Sequence, residues 1–159
     1  MIEKTLVLIK PDGIQRALSG EIIQRFEKAG LKIIGMKMQW INSNFAQQHY
    51  NAHVGKDFYP SLESFITSGP VIAMVLEGVK SVSIVRKLVG ATAPEQSLPG
   101  TIRGDYAHMG YDYANKQGKT IPNLIHASGN KEDADVEVNL WFKPEELHSY
   151  KTSHESLIF

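Results

Sequence analysis

Cysteine is absent from the 159 residues, which excludes disulfides and thiolate metal sites. A surplus of charge is absent too. Seventeen Lys and Arg balance 17 Asp and Glu, so no bulk field draws the chain toward nucleic acid or an acidic membrane. A neutral total still leaves room for a local cationic cleft. No segment approaches the roughly 20 apolar residues that span a bilayer. Met1-Ile2-Glu3-Lys4 runs directly into a short apolar stretch and lacks a signal-peptide layout. A cytoplasmic protein with no membrane partner is expected. The patterns G-x-x-x-x-G-K-[ST] and G-x-G-x-x-G do not occur, so any phosphate chemistry must use side chains brought together from separate elements. Repeats and low-complexity tracts are also missing.

What is present suits a soluble globular chain. Hydrophobic residues make up 42%, with two Trp and six Phe for a core, and the length fits one domain spanning 1–159 better than two. Residues 5–9 form a β-rich apolar run stopped by Lys10-Pro11-Asp12-Gly13. Ser19 offers a helix cap, Ile22, Ile23 and Phe26 recur at helical spacing, and Gly30 closes the helix. Residues 31–41 alternate as a strand, 42–53 and 58–67 read as two short helical pieces, and 71–76 is a continuous apolar run typical of a central strand. A helix is expected over 79–89 and a functional loop over 90–105. The polar, tyrosine-rich stretch 106–120 has no periodicity, which suggests a place at the surface or between subunits, away from the chemistry. Residues 124–127 form a last short strand, and Asn130 with Glu132 and Asp133 starts a helix. Val136, Val138, Leu140 and Phe142 also alternate, so a strand competes there. Without the inserted helical pieces the order is βαββαβ. This predicts an α/β (α+β) fold, a ferredoxin-like sandwich with helices packed on a four-stranded antiparallel sheet.

Four places could carry chemistry. Lys10 ends the first strand, where the plain alternative is a solvated lysine. Arg86 lies near a helix end before Gly90, Thr92 and Pro94, where a cation also suits the helix dipole. Arg103 stands between glycines in Gly100-Thr101-Ile102-Arg103-Gly104-Asp105, where backbone can approach a ligand. His126 ends an apolar strand, in contrast to His49, His53, His148 and His154, which fall on expected surface helices or the polar tail. A strand-end histidine with no special role is the competing reading. If 130–142 is helical, Glu137 shares one face with Ala134, Val138 and Trp141. A carboxylate on an apolar stripe needs a partner, and a nitrogen of His126 could be it, unless Glu137 reaches solvent at the stripe's edge.

Five blocks, Ile9-Lys10-Pro11-Asp12-Gly13, Ser68-Gly69-Pro70-Val71, Gly100 to Asp105, Asn123-Leu124-Ile125-His126 and Leu140-Trp141-Phe142-Lys143-Pro144-Glu145-Glu146-Leu147, resemble the signature blocks of nucleoside diphosphate kinases and occur in that family's order. The resemblance covers the chain from Lys4 to about Tyr150. It implies an enzyme that transfers the terminal phosphoryl group of a nucleoside triphosphate to a nucleoside diphosphate by a ping-pong route. His126 would be the nucleophile that becomes phosphorylated, and Glu137 the acid that holds it. Lys10, Tyr50, Arg86, Thr92, Arg103 and Asn123 match positions that grip phosphates and ribose, and Phe58 matches the aromatic on which the base stacks. Mg²⁺ is implied on the nucleotide's own phosphates, with no protein metal site, and so is a homo-oligomer, usually a hexamer. The chain departs from the family pattern in having His126-Ala127-Ser128-Gly129 for the usual His-Gly-Ser-Asp, and in a longer stretch between Arg103 and Asn123. A ferredoxin-like nucleic-acid-binding module is the alternative; zero net charge and the lack of an aromatic RNP pattern speak against it.

Overall fold

The computed structural model describes residues 1–158, the last of them by its backbone alone. Along the chain run β1 (Ile2–Ile9), α1 (Pro11–Gln15), α2 (Ser19–Lys28), β2 (Lys32–Gln39), α3 (Ser43–His49), α4 (Tyr59–Ile66), β3 (Val71–Val79) and α5 (Ser81–Val89). They are followed by α6 (Ile102–Tyr106), α7 (Tyr111–Lys116), β4 (Ile125–Ala127), α8 (Lys131–Trp141) and the short α9 (Glu155–Ile158). The strands form one antiparallel sheet in the order β2-β3-β1-β4, the ferredoxin-like arrangement.

The alternation of β1 organises the interior. Val7 and Ile9 face one layer, where Ile22 and Phe26 of α2 and Val85 and Val89 of α5 pack on Met74 and Leu76. Leu6 and Leu8 face the other, with Ala46 of α3, Leu62 and Ile66 of α4, and Val138 and Trp141 of α8. Side chains of a strand alternate between faces, so a strand covered on both sides is apolar throughout. The inserted helices therefore bury the sheet's second face, which an ordinary two-layer sandwich leaves open. In the β1–β4 pairing Leu8 lies opposite His126. Directly opposed residues point to the same face, so His126 projects into the layer that holds α3 and α8.

Several local readings change. Ser19 is the first residue of α2 and caps nothing with its side chain, because the chain already turns through α1 and Ala17, whose φ is +56°. The third strand extends to Val79 through its pairing with β1, and the helix begins at Ser81. Asn130 does cap α8, its side chain accepting the Asp133 amide, and this cap decides the helix against the competing alternation. The stretch 90–105 is not all loop: α6 carries Arg103, and Gly104 closes on the Leu98 carbonyl, so tightly that a Cβ there would sit 2.1 Å from it. That glycine serves a turn of the chain itself.

Candidate functional site

Lys10, Tyr50, Phe58, Arg86, Thr92, Arg103, Asn123, His126 and Glu137 all line one cleft of about 1160 Å³. Their parent elements explain how. Lys10 leaves β1, and its amide donates to the Leu124 carbonyl at 2.8 Å while its Nζ donates to Asn123 Oδ1 at 2.7 Å. Asn123 Nδ2 in turn donates to the Thr92 carbonyl. Leu124 adopts φ +69°, a conformation rare for a branched residue. Its amide is held by Asp12 Oδ2 at 2.9 Å, and the last strand begins at Ile125, one residue later than its apolar pattern suggests.

Arg103 is not a solvated loop residue. Its guanidinium donates to the carbonyls of Asn123, Ala91 and Ile125 and is 7% exposed. Burial, with the charge of Arg86, lowers its pKa to about 10. Lys10 is likewise buried, and burial with the neighbouring Arg103 brings its pKa down to about 8 against the opposing pull of Asp12. Two crowded cations without a carboxylate ion pair of their own among the described residues are costly, and an anionic ligand in the cleft would relieve them. The Tyr50 hydroxyl is buried without a hydrogen-bond partner among the described residues. Arg86 and Phe58 are exposed at the cleft's rim.

His126 Nε2 lies 3.0 Å from both Glu137 oxygens. A carboxylate only accepts, so Nε2 carries the proton and a neutral ring keeps its lone pair on Nδ1. Ser128, fully buried, pairs with Leu6 through backbone and side chain and donates its hydroxyl to Glu137 Oε2 at 2.7 Å. Burial pushes Glu137 up, but the hydrogen bond and charge of His126 together with Ser128 hold it below the ordinary carboxylate value. Glu137 shares its helix face with buried Ala134, Val138 and Trp141, as the periodicity required.

Two expectations are corrected. His49 does not lie on a free surface: its ring meets that of His126 edge to face at 4.6 Å between centroids, and Trp141 Nε1 donates to its Nδ1 at 3.2 Å. The signal was there in the helical spacing of Phe45, Ala46, His49 and Tyr50. The stretch 106–120 does not lie away from the site either. α7 and the residues after it wall the cleft through Tyr111, Asn115 and Lys119. Ala114 and Ile121 anchor that wall on Ala93, and the Thr120 amide and hydroxyl both reach Ser61 Oγ of α4, at 2.7 and 3.1 Å. Its apolar anchors are too few to give a period.

Among the described residues, one group of three potential metal-binding side chains stands together, His49, His126 and Glu137, with ligand atoms within 4.8 Å of one another. Glu137 and His126 Nε2 engage each other, and Trp141 engages His49 Nδ1. Hard-cation chemistry would fall to oxygen ligands brought in by a bound molecule.

An open imidazole nitrogen beside buried cations is the arrangement that enzymes carrying phosphoryl groups on histidine require. The family model of nucleoside diphosphate kinase matches residues 3–147. A nucleoside diphosphate kinase from Pyrococcus furiosus is 54% identical over 149 residues, covering 94% of this chain and 88% of its own. A transition-state mimic of the Borrelia burgdorferi enzyme with bound vanadate and ADP superimposes with TM-score 0.95 at 42% identity, over 99% of this chain and 96% of that one. A halophilic enzyme from Halobacterium salinarum in complex with CDP gives TM-score 0.88 at 40% identity, over 100% and 99%. The chain belongs to the nucleoside diphosphate kinase family.

Proposed function

We propose that this chain, as one kinase domain, moves the terminal phosphoryl group of a nucleoside triphosphate onto His126 Nδ1 and then onto a second nucleoside diphosphate. The observation that carries the reading is the bidentate approach of Glu137 to His126 Nε2, which leaves Nδ1 as the nucleophile. In the first half-reaction the bond between the γ-phosphorus and its bridging oxygen breaks as the P–N bond forms, and the diphosphate leaves with the electron pair. In the second, a β-phosphate oxygen of the acceptor attacks and the P–N bond breaks.

Phosphoryl transfer proceeds through a loose transition state with charge on the non-bridging oxygens, so positioning and electrostatics do most of the work. Lys10, Arg86 and Arg103 are the cations for that charge, and Tyr50, Thr92 and Asn123 the neutral hydrogen-bonding groups. Glu137 offsets the positive charge that builds on the ring. Phe58, 51% exposed, offers the base a stacking face. Mg²⁺, carried on the nucleotide's phosphates, would neutralise part of their charge. The solved relatives named above hold ADP in one case and CDP in the other, in keeping with a stacking site tolerant of base. The nucleic-acid-binding alternative is not favoured, given the family to which the chain belongs.

The site's cytoplasmic setting and a homo-oligomer, a hexamer by the family pattern, belong to the same proposal. No helix among the described residues is long and apolar enough to cross a membrane. For assembly, edge strand β2 and the residue just beyond it offer an exposed apolar row, Met36, Met38 and Trp40, of the kind a second copy covers. Labelled ATP added to the wild-type protein should leave one acid-labile phosphate per chain, and His126→Ala none. A folded His126→Ala protein that retains substantial turnover removes the assignment.

A further inference from the structure

Glu137 and Trp141 are one turn apart on α8 and share a face. Glu137 holds His126 directly. Trp141 reaches the same ring through an intermediary, because its indole Nε1–H donates to His49 Nδ1 and the His49 ring lies against His126 at 82° and 4.6 Å. The indole is only a donor, so His49 Nδ1 must be the unprotonated nitrogen and a neutral ring bears its proton on Nε2. Burial, reinforced by the charges of His126, Lys10 and His53, keeps His49 from protonating. His49 Nε2 is buried and finds no hydrogen-bond partner among the described residues. Such a ring is retained at a cost in unmet hydrogen bonding, and sites where that happens call for an explanation.

We propose that His49 is a positioning residue for the phosphoryl-accepting histidine: locked by Trp141, its ring braces that of His126 edge to face while Glu137 holds Nε2. With Glu137 of α8 and His49 of α3 both on the ring, the plane of His126 is fixed in both tilt and rotation, and Nδ1 is directed before any nucleotide arrives. A neutral brace also suits a ring that gains positive charge during transfer, since a second cation there would oppose it and compete for Glu137. The same hydrogen bond argues against a metal at His49, His126 and Glu137, because a metal on either His49 nitrogen requires the Trp141 bond to break or leaves two N–H groups facing one another.

The inference rests on His126 as the phosphorylated residue, and single-turnover phosphorylation by ATP tests it alongside calorimetric ADP binding. His49→Ala should slow phosphorylation by roughly 10- to 100-fold, the loss that small misplacements of a reacting group produce. ADP affinity should stay within about twofold, since one His49 nitrogen is taken by Trp141 and the other is buried, which leaves the ring no polar atom to offer a nucleotide. Trp141→Phe should give a smaller loss in the same direction. The double variant should be no slower than His49→Ala alone, because coupled residues fail to add. His49→Asn, whose amide oxygen can still accept from Trp141, guards against misfolding of the alanine variant, and it should be equally slow for want of the ring. Wild-type phosphorylation rates in both His49 variants, losses that multiply in the double variant, or ADP affinity falling in step with the rate would each overturn the proposal. Absence of a phosphoenzyme in the wild type is a different failure and strikes only the reading beneath it.

Discussion

Lys10 Nζ donates to Asn123 Oδ1 at 2.7 Å across 113 positions of sequence, and this joins the end of β1 to the residue that leads into β4. The contact holds a buried ammonium whose pKa is lowered from 10.5 to about 8, by burial and then by Arg103, with Asp12 opposing. Below about pH 8 Lys10 is charged, the form that the proposed role on phosphate needs. Above it, in the free enzyme, the charge is lost, so KM for nucleotide should climb between pH 8 and 9.5. Folding stability has the opposite sign. The unfolded chain binds more protons than the folded one between about 8 and 10.5, so this group's contribution to stability rises with pH through that window. Lys10→Met should flatten both limbs. A KM independent of pH in the wild type would contradict the role.

Glu137→Gln keeps size and one neutral hydrogen bond but removes the charge facing His126. Orienting groups of this type contribute at or below the low end of about 10²–10⁴-fold, so His126 phosphorylation should slow by that order while nucleotide affinity holds. An unchanged phosphorylation rate with weakened nucleotide binding would reassign Glu137 to the cleft wall.

Phe58 exposes half of its ring at the rim of the cleft. Stacking contributes about 1–3 kcal/mol per base and accepts every base. Phe58→Ala should raise KM for ADP, GDP and CDP by similar factors and leave kcat nearly unchanged. A loss confined to purines would reveal a reader of base edges elsewhere in the cleft.

Ser61 Oγ receives both the amide and the hydroxyl of Thr120, which ties the wall around α7 to α4. Ser61→Ala removes hydrogen bonds worth about 0.5–1.5 kcal/mol each. The wall should loosen, with KM raised a few-fold and kcat held. A lowered melting temperature with KM unaltered would make the latch purely structural.

The four-stranded sheet was legible in the βαββαβ order of elements, because two-sided burial writes continuous apolar runs into β1 and β3, and the Asn130 cap settled α8 as the helix whose face carries Glu137. His49 was misplaced for a physical reason: one histidine among polar neighbours such as Gln47, Gln48 and Asn51 looks like a wet helix unless the spacing from Phe45 is followed. The burial of Arg103 left no mark in the sequence, because its partners are backbone carbonyls, which leave no trace in residue type. The wall around α7 was illegible since its anchoring core is Ala93, Ala114 and Ile121 alone, two of them too small to set a rhythm.

The Leu6 amide bonds Ser128 Oγ across 122 positions, at the seam where β4 closes onto β1. Contacts that span nearly the whole polypeptide are slow to form, because the loop must close before it is rewarded. The strand that bears His126 is also short, only three residues, and cannot stand without that seam. Catalytic competence is therefore a late event in the life of each chain. During refolding, helical signal should return first and the capacity to accept phosphate last, and a ribosome-bound chain that has not yet released residue 128 should possess the cations but no histidine held for attack.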